Sequence, residues 1–99
     1  MQHTIKEGET NSTLFLSGEI DMSNADSVKD IAIGLIKKKG DLIIHLQDVT
    51  YIDSSGISVF IEAHKNAIQN GVKCILKDVS KEVLKVIMMA RLEEILIIE

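Results

Sequence analysis

The sequence predicts an α/β fold: one domain with a single mixed β-sheet and helices packed on it, in the order ββαβαβαβ. Three observations lead there. Short apolar segments, either alternating or continuous as in Leu42-Ile43-Ile44, read as strands. Longer stretches between them carry apolar residues at helical spacing. Glycines and polar clusters separate the two kinds of segment, since the chain has no proline. Strands that alternate with helices imply largely parallel pairing through right-handed crossovers, and an opening hairpin adds an antiparallel pair. The 99 residues suffice for one core and predict one domain spanning 1–99.

Taken in order, Gln2 to Glu7 is a weakly patterned opening strand, and Gly8-Glu9-Thr10-Asn11 is a turn. Thr13 to Ser17, with Leu14 and Leu16 on one side, is the second strand. Gly18-Glu19-Ile20-Asp21 leaves that strand. Ser23 is placed to cap a first helix, and Asp26 adds negative charge to its first turn. Val28, Ile31, Ala32, Leu35 and Ile36 form that helix's apolar face up to Lys39, and Gly40 stops it. Asp41 to Leu46 suits a central strand, and Val49 to Ile52 leads into a serine-rich turn. From Ser55 to about Asn70 a second helix places Ile57, Phe60, Ile61, His64 and Ile68 on one face, and Gly71 ends it. Val72 to Lys77 alternates as a strand. Ser80 caps a third helix whose apolar face is Val83, Leu84, Ile87 and Met88. Leu96-Ile97-Ile98 is the last strand.

Composition narrows the function. With 45% hydrophobic and 26% charged residues the chain has the balance of a globular domain rather than a disordered one. A formal net charge of -4 disfavours a nucleic-acid partner, whose phosphates select basic surfaces. The basic run Lys37-Lys38-Lys39 sits where cations favour a helix C-terminus. The N-terminal residues lack a signal-peptide pattern and no apolar run is long enough to cross a bilayer, so a cytoplasmic location without direct membrane contact is expected. The single cysteine, Cys74, allows no internal disulfide and reads as a small buried hydrophobe. Met88-Met89 reads as helix filler or as an exposed patch for a partner.

The segment that carries chemistry is Asp53-Ser54-Ser55-Gly56, between an apolar strand and a helix. The strand-to-helix turn at the carboxyl end of a parallel sheet is the functional rim of α/β folds. A helix start offers free N–H groups and the positive end of a dipole. A serine there can carry a phosphoryl group without unfolding its helix, and the group adds about -1.5 to -2 charges to the surface. The same residues are also ordinary N-caps, so capping and modification both remain open from the residues alone. Enzymatic signatures are missing: the turn is not G-x-S-x-G, His3, His45 and His64 lack metal-ligand spacing, and no G-x-x-x-x-G-K-[ST] loop occurs. His64 reads as a satisfied, partly buried side chain. No enzymatic activity and no cofactor are expected.

Across nearly its whole length the sequence resembles the STAS domain family of bacterial anti-sigma factor antagonists. The stretches that carry the resemblance are Leu16-Ser17-Gly18-Glu19-Ile20-Asp21, Leu42-Ile43-Ile44-His45-Leu46 and Val49-Thr50-Tyr51-Ile52-Asp53-Ser54-Ser55-Gly56-Ile57. The resemblance implies a cycle. An unphosphorylated antagonist binds an anti-sigma factor that is also a serine kinase, and so frees the sigma factor for transcription. The kinase, with its own ATP, phosphorylates the serine after the motif's aspartate and releases the antagonist. A PP2C-type phosphatase restores it. Carried over, Ser54 is the phosphoacceptor and Ser55 its less suited neighbour. Asp21 matches a position near the partner-binding surface. Asp53 holds the turn, and Gly56 permits close approach of the partner or tight packing. A monomer or weak dimer is expected. A non-switching scaffold subunit of a stressosome-like or lipid-transport complex is the alternative. The sequence departs from the family in having Ser58 where many relatives have glycine, and in stopping at Glu99, where the family often has a further helix.

Overall fold

The computed structural model describes residues 1–99. Its elements are β1 (Gln2–Glu7), β2 (Asn11–Ile20), α1 (Ala25–Lys39), β3 (Asp41–Ile52), α2 (Ser54–Gln69), β4 (Cys74–Lys77), α3 (Lys81–Met89) and β5 (Ile97–Ile98). The order ββαβαβαβ is the expected one. The strands form one sheet in the order β1-β2-β3-β4-β5. β1 runs antiparallel to β2, and every other neighbouring pair is parallel.

Each of the three crossovers advances by one strand in the same direction, so right-handed connections put all three helices on one side of the sheet. Burial agrees. Leu14, Leu16, Leu42, Ile44, Leu46, Cys74 and Leu76 share one buried cluster with Val28 and Leu35 of α1, Phe60 and Ala63 of α2, and Val83 and Ile87 of α3. The alternate strand positions Phe15, Ile43 and Ile75 lie outside it. One face of the sheet therefore carries the core. α1 and α2 lie in contact, and the fully buried Ala32, Ala63 and Ala67 let the helices approach their neighbours closely.

Several details differ from expectation, each for a local reason. β2 does not end at Ser17 but continues to Ile20, because a register slip between Phe15 and Ser17 and another at Gly18 keep it paired with β3. Gly18 accommodates this with φ +85°. β3 is likewise continuous from Asp41 to Ile52. β4 starts at Cys74 rather than Val72, since the Val72 N–H bonds back to Ala67 O at 2.9 Å and the Lys73 N–H to Asp41 Oδ1 at 2.9 Å. On α2 the inward face is Gly56, Val59, Phe60, Ala63 and Ala67 together with Ile57, while Ile68 is 64% exposed. Ala63 and Ala67 face the core, while Ile61 and Ile68 lie at its margin. His64 is half-buried, and its Nδ1 has no partner, contrary to the expected satisfied histidine. On α3, Met88 is 54% exposed and Val86 packs on the core in its place. Ser80 does cap α3, accepting from the Val83 N–H at 3.4 Å. Cys74 is buried, which pushes its thiol pKa up to about 12.

Candidate functional site

The register Ile20↔Ile52 brings the ends of β2 and β3 side by side. Parallel neighbours lie about 4.8 Å apart, so Asp21 and Asp53 leave the sheet at adjacent points. The Asp53 N–H donates to Ile20 O at 3.2 Å and ties the two ends together.

The loop after β2 is built by Asp21. Its Oδ1 accepts from the Ser23 N–H at 2.9 Å and from the Ser23 hydroxyl. Its N–H donates to Asn24 Oδ1 at 3.1 Å, and the Asn24 amide donates to Glu19 O at 3.0 Å. The Ser23 hydroxyl above all, then the Ser23 N–H, holds the Asp21 carboxyl below the usual carboxylate range. Ser23 is thus consumed by Asp21 and does not cap α1. The position before α1 is Asn24, whose side chain is turned back to the loop instead.

In the turn between β3 and α2, Asp53 is the N-cap. Its extended backbone (φ -110°, ψ -172°) aims Oδ1 at the Ser55 N–H (2.9 Å) and the Gly56 N–H (3.2 Å). With those donors occupied by Asp53, Ser54 is free of any capping duty. Ser54 is the first residue of α2 and is exposed, and its hydroxyl takes part in no hydrogen bond. Its carbonyl accepts from the Ser58 hydroxyl at 3.0 Å. A serine at this Ser58 position therefore adds a hydrogen bond to the first turn of α2.

Gly56 is buried. A Cβ built on it would lie 2.5 Å from Ile52 Cγ1 and 2.9 Å from Ile20 Cγ2. Its missing side chain faces the core rather than solvent, so it sets how closely α2 sits on the ends of β2 and β3.

Ser55 is half-buried and faces a cleft of about 470 Å³ between α1 and α2, together with Met22, Asp26, Lys29, Ser58 and Glu62. Lys29 is engaged with Asp26 at 3.8 Å. Asp21, Asp53, Ser54, Ser55 and Gly56 are thus gathered at one corner of the sheet, four of them on or near the surface and Gly56 beneath. Asn24 and the cleft residues Lys29 and Glu62 escape a linear reading. Asn24 at a helix start was a usable signal, whereas nothing in sequence spacing joins Lys29 to Glu62.

The sequence profile of the STAS domain matches residues 3–99. The chain belongs to the STAS domain family. It is 29% identical over 92 residues to the anti-sigma-B factor antagonist of Bacillus subtilis, covering 93% of this chain and 84% of that protein. It is 32% identical over 94 residues to the anti-sigma-B factor antagonist of Listeria monocytogenes, covering 93% and 82%. Among solved structures, the anti-sigma factor antagonist SpoIIAA in its unphosphorylated form superposes with a TM-score of 0.83 at 17% identity, over 99% of this chain and 88% of that one. Bacillus SpoIIAA in its phosphorylated form gives 0.77 at 16%, over 99% and 91%. An anti-sigma factor antagonist from Mycobacterium paratuberculosis gives 0.86 at 16%, over 98% and 83%. At these identities the structural matches speak to the fold. The STAS relatives are regulatory binding proteins. No helix of this chain is long and apolar enough to cross a membrane.

Proposed function

We propose that this STAS domain is an anti-sigma factor antagonist whose Ser54 accepts a phosphoryl group from a partner that is both anti-sigma factor and serine kinase. The observation that carries the reading is the division of labour in the turn: Asp53 caps α2, and Ser54 stands exposed with an unengaged hydroxyl. Ser55 is the poorer acceptor, being half-buried.

In the reaction, Ser54 Oγ attacks the γ-phosphorus of ATP held by the kinase. The bond from that phosphorus to the bridging oxygen breaks, ADP leaves, and the hydroxyl proton passes to a base of the kinase. The free antagonist tolerates the product, since a phosphate at a helix N-terminus is stabilised by about 0.3–1 kcal/mol. The complex does not. Asp53 precedes Ser54 and Asp21 leaves the neighbouring strand end, so a phosphate buried there against a partner meets carboxylates rather than compensating cations. An uncompensated buried charge costs about 3–5 kcal/mol, so the balance favours release, by roughly 10²–10⁴-fold in affinity. Because Ser54 stays exposed, a PP2C-type phosphatase has access to the ester and can reset the cycle.

The test is intact-mass measurement of the chain after incubation with the anti-sigma factor kinase of the same genome and ATP, followed by peptide mapping. One phosphoryl group on Ser54 is expected. Absence of modification while the kinase binds, or modification confined to another residue, contradicts the reading. A stable high-order assembly without modification would point to the scaffold role instead.

A further inference from the structure

The two edges of the sheet differ. β5 is two residues long, whereas β1 runs for six and pairs with β2 without a break from Gln2↔Ser17 to Glu7↔Ser12. β1 has no neighbour on its other side, and every residue in it is exposed. Such an edge offers a row of unpaired backbone N–H and C=O groups that another strand can complete. β1 carries no proline and no bulge to prevent this, and Lys6 is its one lysine. Directly opposed residues of an antiparallel pair share a face. His3, Ile5 and Glu7, opposite the buried Leu16, Leu14 and Ser12, therefore lie on the helix side of the sheet. Ile5 is 41% exposed there, since α1 packs on β2 and β3. Between β1 and α1 runs a groove of about 480 Å³, lined by Ile5, Ile31 and Leu35. Gly34 leaves it open, with no atom within 4 Å of where a Cβ would stand.

The order of side chains along β1 identifies the strand that completes it. An antiparallel pairing with a second copy, two-fold about Ile5, sets Ile5 against Ile5 and His3 against Glu7, and on the other face Thr4 against Lys6. β1 is thus complementary to itself: an apolar pair at the centre, an imidazole facing a carboxylate on either side, and a lysine facing a threonine. Other registers lose this. Centred on Thr4, the pairing sets Ile5 against His3 and leaves Glu7 beyond the strand's end. Centred on Lys6, it sets lysine against lysine and Ile5 against Glu7. Centred between residues, it parts the two Ile5 side chains to opposite faces. About Ile5 the opposed residues have the same parity, so their outward N–H and C=O groups meet whichever alternate set faces out. The charges on the groove are mixed, Glu7 and Asp30 against Lys38, so no field of one sign repels a second copy. Glu7 meets Lys38 through Oε1 at 3.6 Å, and Oε2 is left for His3 of the second copy.

We propose that β1 is the interface with a second copy of this chain, joining two sheets into one across an antiparallel β1–β1 seam centred on Ile5. Space allows it. Three strand spacings, about 14 Å, separate the two β2 strands, so two α1 helices of about 10–12 Å diameter fit side by side above the seam. The two grooves then merge over Ile5, Ile31 and Leu35 of both copies. Six residues make a seam about 20 Å long, and a contact of that size places the dimer among weak, concentration-dependent ones. The two-fold reverses strand direction, so the two Ser54 turns lie at opposite ends of the joined sheet. The proposal therefore does not depend on the role of Ser54.

Sedimentation equilibrium of the full chain at up to about 1 mM reads the dimer, and nitrogen-15 amide shifts locate it. The parent chain should dimerise, with concentration-dependent shifts in Gln2 to Glu7. His3→Glu sets carboxylate against carboxylate at both symmetry-related positions, and Glu7→Lys sets ammonium against imidazole. Each alone should weaken the dimer by about tenfold. An equimolar mixture of the two variants should recover the parental affinity, because in the mixed pair each altered side chain faces the other and the remaining His3 faces the remaining Glu7. Ile5→Asp should abolish the dimer. Urea unfolding at concentrations where the parent is monomeric checks that each variant keeps the fold. The proposal is overturned by a parent chain that stays monomeric at about 1 mM, by a dimer that His3→Glu or Ile5→Asp leaves unchanged, or by a mixture that associates no more tightly than the single variants.

Discussion

Replacing Gly56 by alanine tests how the Asp53–Gly56 turn is seated on the sheet. The added Cβ would lie 2.5 Å from Ile52 Cγ1, 2.9 Å from Ile20 Cγ2 and 2.9 Å from Ile52 Cδ1. Carbon atoms at rest lie about 3.5–4.0 Å apart, so Ile52 or the helix must give by close to 1 Å. Neither isoleucine can swing into solvent, for Ile20 is 0% and Ile52 5% exposed. Overpacking of this kind costs about 1–3 kcal/mol. Against it stands the gain from alanine over glycine in a helix, about 1 kcal/mol at most. With that gain set against it, the net is a loss of up to about 2 kcal/mol. Urea unfolding followed by circular dichroism should show a lower midpoint at unchanged slope. Gly34 in α1 supplies the control. No atom lies within 4 Å of a Cβ there, so Gly34→Ala keeps the propensity gain without the clash and should raise stability by about 0.5–1 kcal/mol. If Gly56→Ala gained stability as Gly34→Ala does, the tight seating of α2 on Ile20 and Ile52 would be wrong.

Three further outcomes follow from the same geometry. Asp53→Ala leaves the Ser55 and Gly56 N–H groups without their acceptor and should cost about 1 kcal/mol, while Asp53→Asn retains most of it in the same urea assay. The Asp21 carboxyl is held low by Ser23, so its stabilising contribution is complete above the unfolded value of about 3.9 and is lost as pH falls through the lower folded value. Carboxyl titration by NMR should therefore find Asp21 below that value, and Asp21→Asn should flatten the acid limb of the stability profile. The Cys74 thiol, with its pKa at about 12 through burial, should resist a thiol-specific disulfide reagent at pH 8 in the folded chain and react promptly in urea. Rapid reaction of the folded chain would contradict the burial.

Much of the architecture was legible because the segments are well punctuated. Gly40 does follow α1, and Ser80 does cap α3. The continuous run Leu42-Ile43-Ile44 does lie in the middle of the sheet, although only Leu42 and Ile44 face the core. In β2 and α2, where expectation failed, a non-local contact decided. The length of β2 past Gly18 depends on pairing with β3, and the inward face of α2 depends on which side chains are small enough to sit near the sheet. Ile61 and Ile68 carry the stronger hydrophobic signal, but Ala63 and Ala67 take the buried positions. Ser23 looked like a cap because serine is a good one; Asp21, two residues earlier, competes for its hydroxyl and wins with a charged acceptor. At the site, the motif Asp53-Ser54-Ser55-Gly56 marked the turn, and the structure adds that Asp53 caps α2 while Ser54 is exposed. Asp21 joins that turn through the register of β2 and β3, which no local pattern encodes.

The central claim is that a negative charge on Ser54 releases a bound kinase. Isothermal titration of the parent chain, Ser54→Ala and Ser54→Asp against the anti-sigma factor kinase of the same genome, in the presence of ADP, measures it directly. The account predicts that Ser54→Ala binds as tightly as the unmodified parent and that Ser54→Asp binds about 100-fold more weakly. Equal affinity of the three proteins would contradict it.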